Sequence, residues 1–186
     1  FYNLRKLSYE MKSKLSFYLV RFPSFAIGLF FILTLIAAFL YPGSQREGIG
    51  FECDHYSFTH NFLSELGTFT INSDETNPFA IKEDNTPSML LFNGSLVLVG
   101  MTILLFYCYF EKLFVFAEDT VGALKNSKIA KPLGILAGIL YAGVGLVPHD
   151  LHFGWHIFFA NGAFLTLLFL CVFPVSYTHL RAHETN

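Results

Sequence analysis

The sequence predicts an all-α fold, a polytopic transmembrane helix bundle. Hydrophobic residues make up 53% of the 186 positions and charged residues only 14%, a balance too apolar for a typical soluble domain. Four apolar segments each approach the roughly 20 residues that a helix needs to cross a bilayer. Residues 1–173 therefore read as one membrane domain. The formal net charge of −2 argues against a nucleic-acid partner and leaves membrane lipid as the expected one.

The first predicted span, residues 22–41, contains no charged residue. The second covers residues 89–110 and has Asn93 near its start. The third covers residues 129–147, with Lys131 and Pro132 in its first turn, where lysine can snorkel and proline is tolerated. The fourth covers residues 151–173.

Lysine and arginine predict the orientation of these spans. Basic residues precede the first span and recur between the second and third, whereas residues 42–88 carry two basic residues against eight acidic ones. By the positive-inside rule, the N-terminus and the 111–131 loop are expected in the cytoplasm. The acidic 42–88 loop and the turn before the fourth span are then expected outside.

The third span is rich in glycine. Gly134 and Gly138 have the small-residue spacing that lets helices approach closely, and Gly143 and Gly145 follow. Tight helix packing is the expected role. A lipid or cofactor bound in the resulting groove is the alternative.

A short amphipathic helix is predicted at residues 58–66, inside the acidic loop. Phe58, Phe62 and Leu66 recur at four-residue spacing, Ser57 could serve as the N-cap, and Gly67 ends the pattern. We expect this helix at the outer interface or in the mouth of the bundle. The polar stretch 71–88 that follows it is expected to be a mobile, exposed loop.

The stretch "GLVPHDLHFGWHIFF", residues 145–159, places three histidines and an aspartate between two apolar runs. Asp150 suits the N-cap of the fourth helix, and His152 and His156 are then one turn apart on one face. The predicted topology collects the polar candidates in one layer. They are His60, Asn61, Ser64, Glu65, Asn93, Asp150, His152 and His156.

Three hypotheses explain this polar layer. The residues could be structural, capping helix ends and plugging the bundle. They could form a metal-dependent intramembrane hydrolase, with zinc held by His152, His156 and the carboxylate of Asp150. They could form an outward-facing pocket for a lipid, sterol or small ligand, or a proton-sensitive gate. Whether the chain is an enzyme stays open.

Motif evidence favours the ligand pocket over the hydrolase. No HExxH motif, glycine-rich phosphate loop or nucleophile elbow is present. We therefore predict no cofactor, with zinc as the weaker alternative. The three cysteines have an odd count and no CxxC spacing, so the sequence indicates neither a disulfide framework nor a thiolate zinc site. The ligand-pocket candidates are Ser64, Glu65, Asn93, Asp150, His156, His60 and Asn61.

The order of three motifs resembles a bacterial and archaeal membrane family, domain of unknown function 998. They are "NFLSELG" at 61–67, "LLFNGSLVLVG" at 90–100 and "GVGLVPHDLHFGWHIFFANGAF" at 143–164. A more distant similarity is to the FRAG/DRAM/Sfk group. The resemblance implies six transmembrane helices, four of them in this chain, in a prokaryotic plasma membrane. It implies no activity, but it singles out Ser64, Asn93, Asp150 and His156.

The C-terminal stretch "VSYTHLRAHET", residues 175–185, matches the translation of a transposase-type sequencing adapter. We therefore expect residues 175–186 to be an artefact tail and the natural protein to continue past residue 173. The His179-x3-His183 spacing is accordingly not expected to bind a metal.

Overall fold

The computed structural model describes the backbone of residues 2–73, 78–116 and 121–184, and the side-chain surroundings of 9–46, 48–73, 78–115 and 122–172. Helix α1 spans Tyr2–Ser16 and continues through a π-helical turn, Phe17–Arg21, into α2, Phe22–Leu40. Helix α3 spans Thr86–Phe116, α4 spans Val121–Leu146 and α5 spans Phe153–Glu184. The side chains of the tail predicted to be an artefact, residues 175–186, lie outside the described residues.

Four helical stretches are long and apolar enough to cross a membrane: Tyr9–Leu40, Thr86–Val115, Gly122–Leu146 and Phe153–Val172. The predicted all-α bundle with four candidate spans is thus confirmed. Large apolar side chains such as Phe39, Phe164 and Phe31 are mostly exposed, as expected where lipid replaces water around a bundle. Helix α3 extends beyond its predicted span at both ends, α4 at its N-terminal end and α5 at its C-terminal end, whereas α2 ends at Leu40 and α5 begins at Phe153, inside the predicted bounds.

Helix α3 is the centre of the bundle. It packs most extensively against α4 and also contacts α2, while α5 packs on α4. Glycines allow the α3–α4 approach: a Cβ on Gly138 would lie 2.6 Å from the backbone nitrogen of Leu104 and 2.7 Å from the carbonyl oxygen of Gly100. A Cβ on Gly134 would overlap the Tyr107 ring. The predicted tight glycine packing is therefore present.

We call residues 42–85, between α2 and α3, the cap. It contains a hairpin that the sequence did not predict, with β1 at Ser44–Arg46 and β2 at Phe51–Cys53 paired antiparallel. Gly50 lies in the connection at a φ of +61°, a conformation that glycine adopts without steric cost. A buried cluster containing Tyr41, Tyr56, Leu66 and Phe92 joins the cap to α2 and α3.

The predicted amphipathic helix at 58–66 is wrong. The chain makes a turn in which the Asn61 amide donates to the Ser57 carbonyl, and then a 3-10 turn at Leu63–Gly67. Phe58 and Phe62 are exposed whereas Leu66 is buried, so they do not share a buried face. Helical spacing failed here because polar side chains, described below, satisfy the backbone amides and carbonyls in place of helical hydrogen bonds.

The predicted mobile loop at 71–88 is also partly wrong. Ile71, Asn72, Asn85 and Ser88 are buried. The Asn72 carboxamide accepts a hydrogen bond from the Gln45 amide at 2.9 Å and donates to the Ile81 carbonyl at 2.9 Å. This part of the cap is consequently tied to the hairpin on one side and to α3 on the other.

Candidate functional site

Glu65 is the buried charge at the centre of the cap. Its carboxylate pairs with the Arg46 guanidinium and accepts hydrogen bonds from the Asn61 amide group at 2.6 Å and the Phe62 backbone amide at 2.9 Å. Only 8% of the Glu65 side chain is exposed. A carboxylate so buried is tolerable only because three donors replace its hydration.

Two tyrosines lie beside this buried charge. Burial and, to a smaller extent, the charge of Glu65 raise the pKa of Tyr56 to about 12. Burial and Glu65 also raise the pKa of Tyr41 well above its usual value. Both phenols therefore remain neutral at physiological pH.

Polar side chains at and just before the N-terminal end of α3 donate hydrogen bonds to the backbone carbonyls of the 3-10 turn and of Thr68, which follows it. The Asn85 amide group donates to the Thr68 carbonyl at 2.9 Å, Ser88 donates to the Leu66 carbonyl at 3.1 Å, and Asn93 donates to the Gly67 carbonyl at 2.9 Å. A Cβ on Gly67 would overlap the Asn93 side chain. Asn93 is thus first a structural residue that fixes the turn against α3.

Asp150 joins the α4–α5 turn to the cap. Its Oδ2 accepts hydrogen bonds from the backbone amides of Phe69 at 2.7 Å and Thr70 at 3.2 Å. The predicted N-cap role of Asp150 is wrong: α5 begins at Phe153, and the Trp155 amide donates instead to Nδ1 of His152 at 3.3 Å. The Asp150 carboxylate binds the cap instead of the end of α5, because two adjacent backbone amides of the cap donate to the same carboxylate oxygen.

His156 enters the bundle from the first turn of α5. Its Nδ1 lies 2.7 Å from the Val147 carbonyl oxygen, which accepts a hydrogen bond from the protonated nitrogen. This bond favours the tautomer whose Nε2 is an acceptor. The ring of buried His149 lies 5.8 Å from the His156 ring.

A cavity of about 220 Å³ lies between α3, α4, α5 and the 3-10 turn. Its polar side chains include Ser64, Asn93 and His156, and its lining is otherwise mostly apolar, as in Leu96 and Phe164. Three predicted pocket residues from three separate elements therefore meet around one space. The other predicted pocket residues do not line it: Glu65, Asn61, His60 and Asp150.

His60 lies in the cap, exposed, with its ring stacked on Phe51 at 4.0 Å. The predicted zinc ligands are not brought together either. His152 is exposed and engaged in capping α5, while Asp150 faces the cap. Among the residues whose side chains are described, the one group of three candidate ligands within 4.8 Å of one another is Cys53, Asp54 and His55.

Several residues that shape the site carried no sequence signal. In the sequence, Arg46 is one charge of an acidic loop, and Asn85 and Ser88 fall in the stretch 71–88 predicted to be mobile. Tyr141 and Val144, which line the cavity, looked like ordinary residues of an apolar span. Their roles depend on contacts between distant segments, which spacing along one segment does not reveal.

The fold is that of a helical bundle with four candidate membrane spans, compatible with an integral membrane protein. No family model, no curated protein and no solved structure matches the chain. The resemblance to domain of unknown function 998 accordingly stays a prediction.

Proposed function

We propose that this membrane protein binds an amphipathic lipid, or an apolar small molecule with one polar group, in the cavity between α3, α4 and α5. The observation that carries the proposal is the placing of Ser64, Asn93 and His156 together in an otherwise mostly apolar lining. Apolar walls with a few convergent polar groups are typical of ligand sites. Because this end of the bundle is predicted to face outward, we expect the ligand to come from the outer leaflet.

The size and chemistry of the cavity narrow the ligand. A volume of about 220 Å³ is below the roughly 300–1,000 Å³ of sites that enclose a drug-sized ligand. The cavity therefore suits part of a molecule, such as a segment of an acyl chain, with the remainder in the bilayer. The described residues that line it include no Asp, Glu, Lys or Arg, so a neutral hydroxyl or ester group fits better than a charged one. Nε2 of His156 supplies an acceptor for such a hydroxyl.

Filling the cavity should weaken binding. Leu167 lines the cavity, whereas its neighbour Leu168 is 58% exposed on the lipid side of α5. In phosphatidylcholine vesicles containing a photoactivatable diacylglycerol, we expect Leu167→Trp to reduce crosslinking to α5 about tenfold, a difference of about 1.4 kcal/mol. Leu168→Trp is the matched control and should retain crosslinking. Equal labelling of both variants would place the lipid on the outer surface of the bundle and refute the proposal.

We further propose that the cap faces the outside of the cell and the N-terminus the cytoplasm, because basic residues concentrate at the opposite ends of the helices. A cysteine introduced at Ser73, in a chain carrying Cys53→Ser, should react with a membrane-impermeant thiol reagent on intact cells. The same chain without the Ser73 substitution is the background control. Labelling that requires permeabilised cells would reverse the orientation.

A further inference from the structure

Three neighbouring side chains converge where β2 ends. Cys53 and His55 are two residues apart, a spacing that places side chains on the same face of a strand. The chain bends at Asp54 and His55, and this bend brings the intervening carboxylate to the same side. The Cys53 sulfur lies 3.0 Å from Nδ1 of His55, and that nitrogen lies 2.9 Å from Oδ1 of Asp54.

We propose that Cys53, Asp54 and His55 bind a divalent cation of borderline or soft character, with Zn²⁺ as the reference ion. Thiolate, imidazole and carboxylate are the three ligand types that Zn²⁺ takes in proteins, at about 2.0–2.3 Å. The candidate ligand atoms all lie within 4.8 Å of one another. One tetrahedral ion could span such separations after the His55 ring rotates, because the Cys53 sulfur now lies 3.0 Å from Nδ1 and 3.2 Å from Nε2 of that ring. One thiolate and one carboxylate also balance the charge of a divalent ion.

The hairpin fixes the backbone of Cys53, the first of these ligands. Cys53 pairs with Ser44 in the hairpin. The backbone of Gly43 packs closely against the Cys53 carbonyl oxygen, since a Cβ on Gly43 would lie 2.8 Å from that oxygen. Gly43 has a φ of +158°. Because Cys53 is anchored in this way, ion binding needs to order only the short side chains, which lowers its entropic cost.

The surroundings attract cations. Cys53 and Asp54 belong to the lining of a cavity of about 520 Å³, which also includes Glu52 and Glu83 but not His55. This acidic environment complements a divalent ion and disfavours an anionic ligand.

The site is open to solvent. The side chains of His55 and Asp54 are 69% and 99% exposed, so water can complete the coordination sphere, and the ion can exchange. Cys53 is not consumed by a disulfide, since all three cysteines are free. Cys108 and Cys171 lie in the membrane-spanning helices α3 and α5. An exchangeable site fits ion capture or sensing better than a structural role.

Co²⁺ tests the site because it substitutes for Zn²⁺ and gives a thiolate-to-metal charge-transfer band. The protein is purified in detergent under reducing conditions with Cys108→Ser and Cys171→Ser, so that Cys53 is the remaining thiol. Titration with Co²⁺ should produce the band, and Zn²⁺ should displace it. Lowering the pH should weaken binding because protons compete for the thiolate and the imidazole.

Cys53→Ser should abolish the band, and His55→Gln and Asp54→Asn should each weaken Co²⁺ binding at least about tenfold, because even partners outside the first coordination shell cost that much. His60→Gln, at another exposed histidine of the cap, is the matched control and should bind normally. A missing band in the parent chain would overturn the proposal. Affinities unchanged by His55→Gln and Asp54→Asn would also overturn it, by reducing the site to adventitious binding at one thiol.

Discussion

Replacing Arg46 by methionine is expected to reduce the free energy of unfolding by about 3–5 kcal/mol, the usual cost of removing one partner of a buried ion pair. Glu65 would remain in the cap with 8% of its side chain exposed and without its cation. The Asn61 and Phe62 donors would persist, but they are neutral and offset only part of the desolvation. Equilibrium unfolding in mixed detergent micelles measures the change.

Two further variants test whether the expected loss of stability comes from the burial of Glu65 or from the loss of any ion pair. Lys131→Met removes the cation of the Glu111–Lys131 pair, in which 36% of the Lys131 side chain and 24% of the Glu111 side chain are exposed. It should reduce the free energy of unfolding by no more than about 1 kcal/mol. Adding Glu65→Gln to Arg46→Met should recover part of the loss because the uncompensated charge disappears. Equal losses for Arg46→Met and Lys131→Met would show that Glu65 is well hydrated and would contradict the buried cap.

Gly138→Ala is expected to destabilise the bundle by about 1–3 kcal/mol, the typical cost of overpacking. The added methyl group would meet the Leu104 nitrogen at 2.6 Å and the Gly100 oxygen at 2.7 Å. Both are backbone atoms, so no side-chain rotation relieves the contact, and α3 and α4 must separate. The same unfolding assay reports the loss.

Gly28→Ala is the control for this prediction because nothing lies within 4 Å of a Cβ at that position in α2. It should be neutral or stabilising by up to about 1 kcal/mol, since alanine has the higher helix propensity. If both alanine variants behaved alike, the close α3–α4 approach would be wrong.

The four helical spans could be predicted because each is encoded locally. A run of apolar residues determines that a segment can cross a bilayer, and the spacing of Gly134 and Gly138 predicts close packing without a partner being known. Helices α3 and α4 begin earlier than predicted because helical hydrogen bonding continues into polar residues. Hydropathy shows which residues can lie inside the bilayer, but it does not show at which residue the helix ends.

The cap could not be predicted because its interactions are long-range. Asp150 bonds amides that are 80 and 81 residues away, and Arg46 and Glu65 are 19 residues apart. Asn61 and Glu65 have the i, i+4 spacing of neighbours on a helix, and their side chains are hydrogen-bonded. The same contact arises here from a turn, so spacing alone could not distinguish the two structures.

The candidate site was predictable only in part. The sequence collected eight polar residues in one layer, and the structure brings Ser64, Asn93 and His156 to one cavity. The layer was too coarse to separate residues that line the cavity from residues that build the cap. Cys53, Asp54 and His55 carried no motif, because their convergence depends on the bend that follows β2.

The glycines also divide the bundle into a stiff part and a compliant part. Between α3 and α4 the contacts at Gly100 and Gly138 include backbone atoms, whereas between α4 and α5 the Phe159 ring occupies the notch at Gly143 and the Leu140 side chain faces Gly162. Side chains can change rotamer while backbone contacts cannot, so the mechanical resistance to separation is lower on the α5 side. If the cavity binds lipid as proposed, we expect the α4–α5 contact to separate more readily than the α3–α4 contact, so that an acyl chain would enter beside α5 directly from the bilayer.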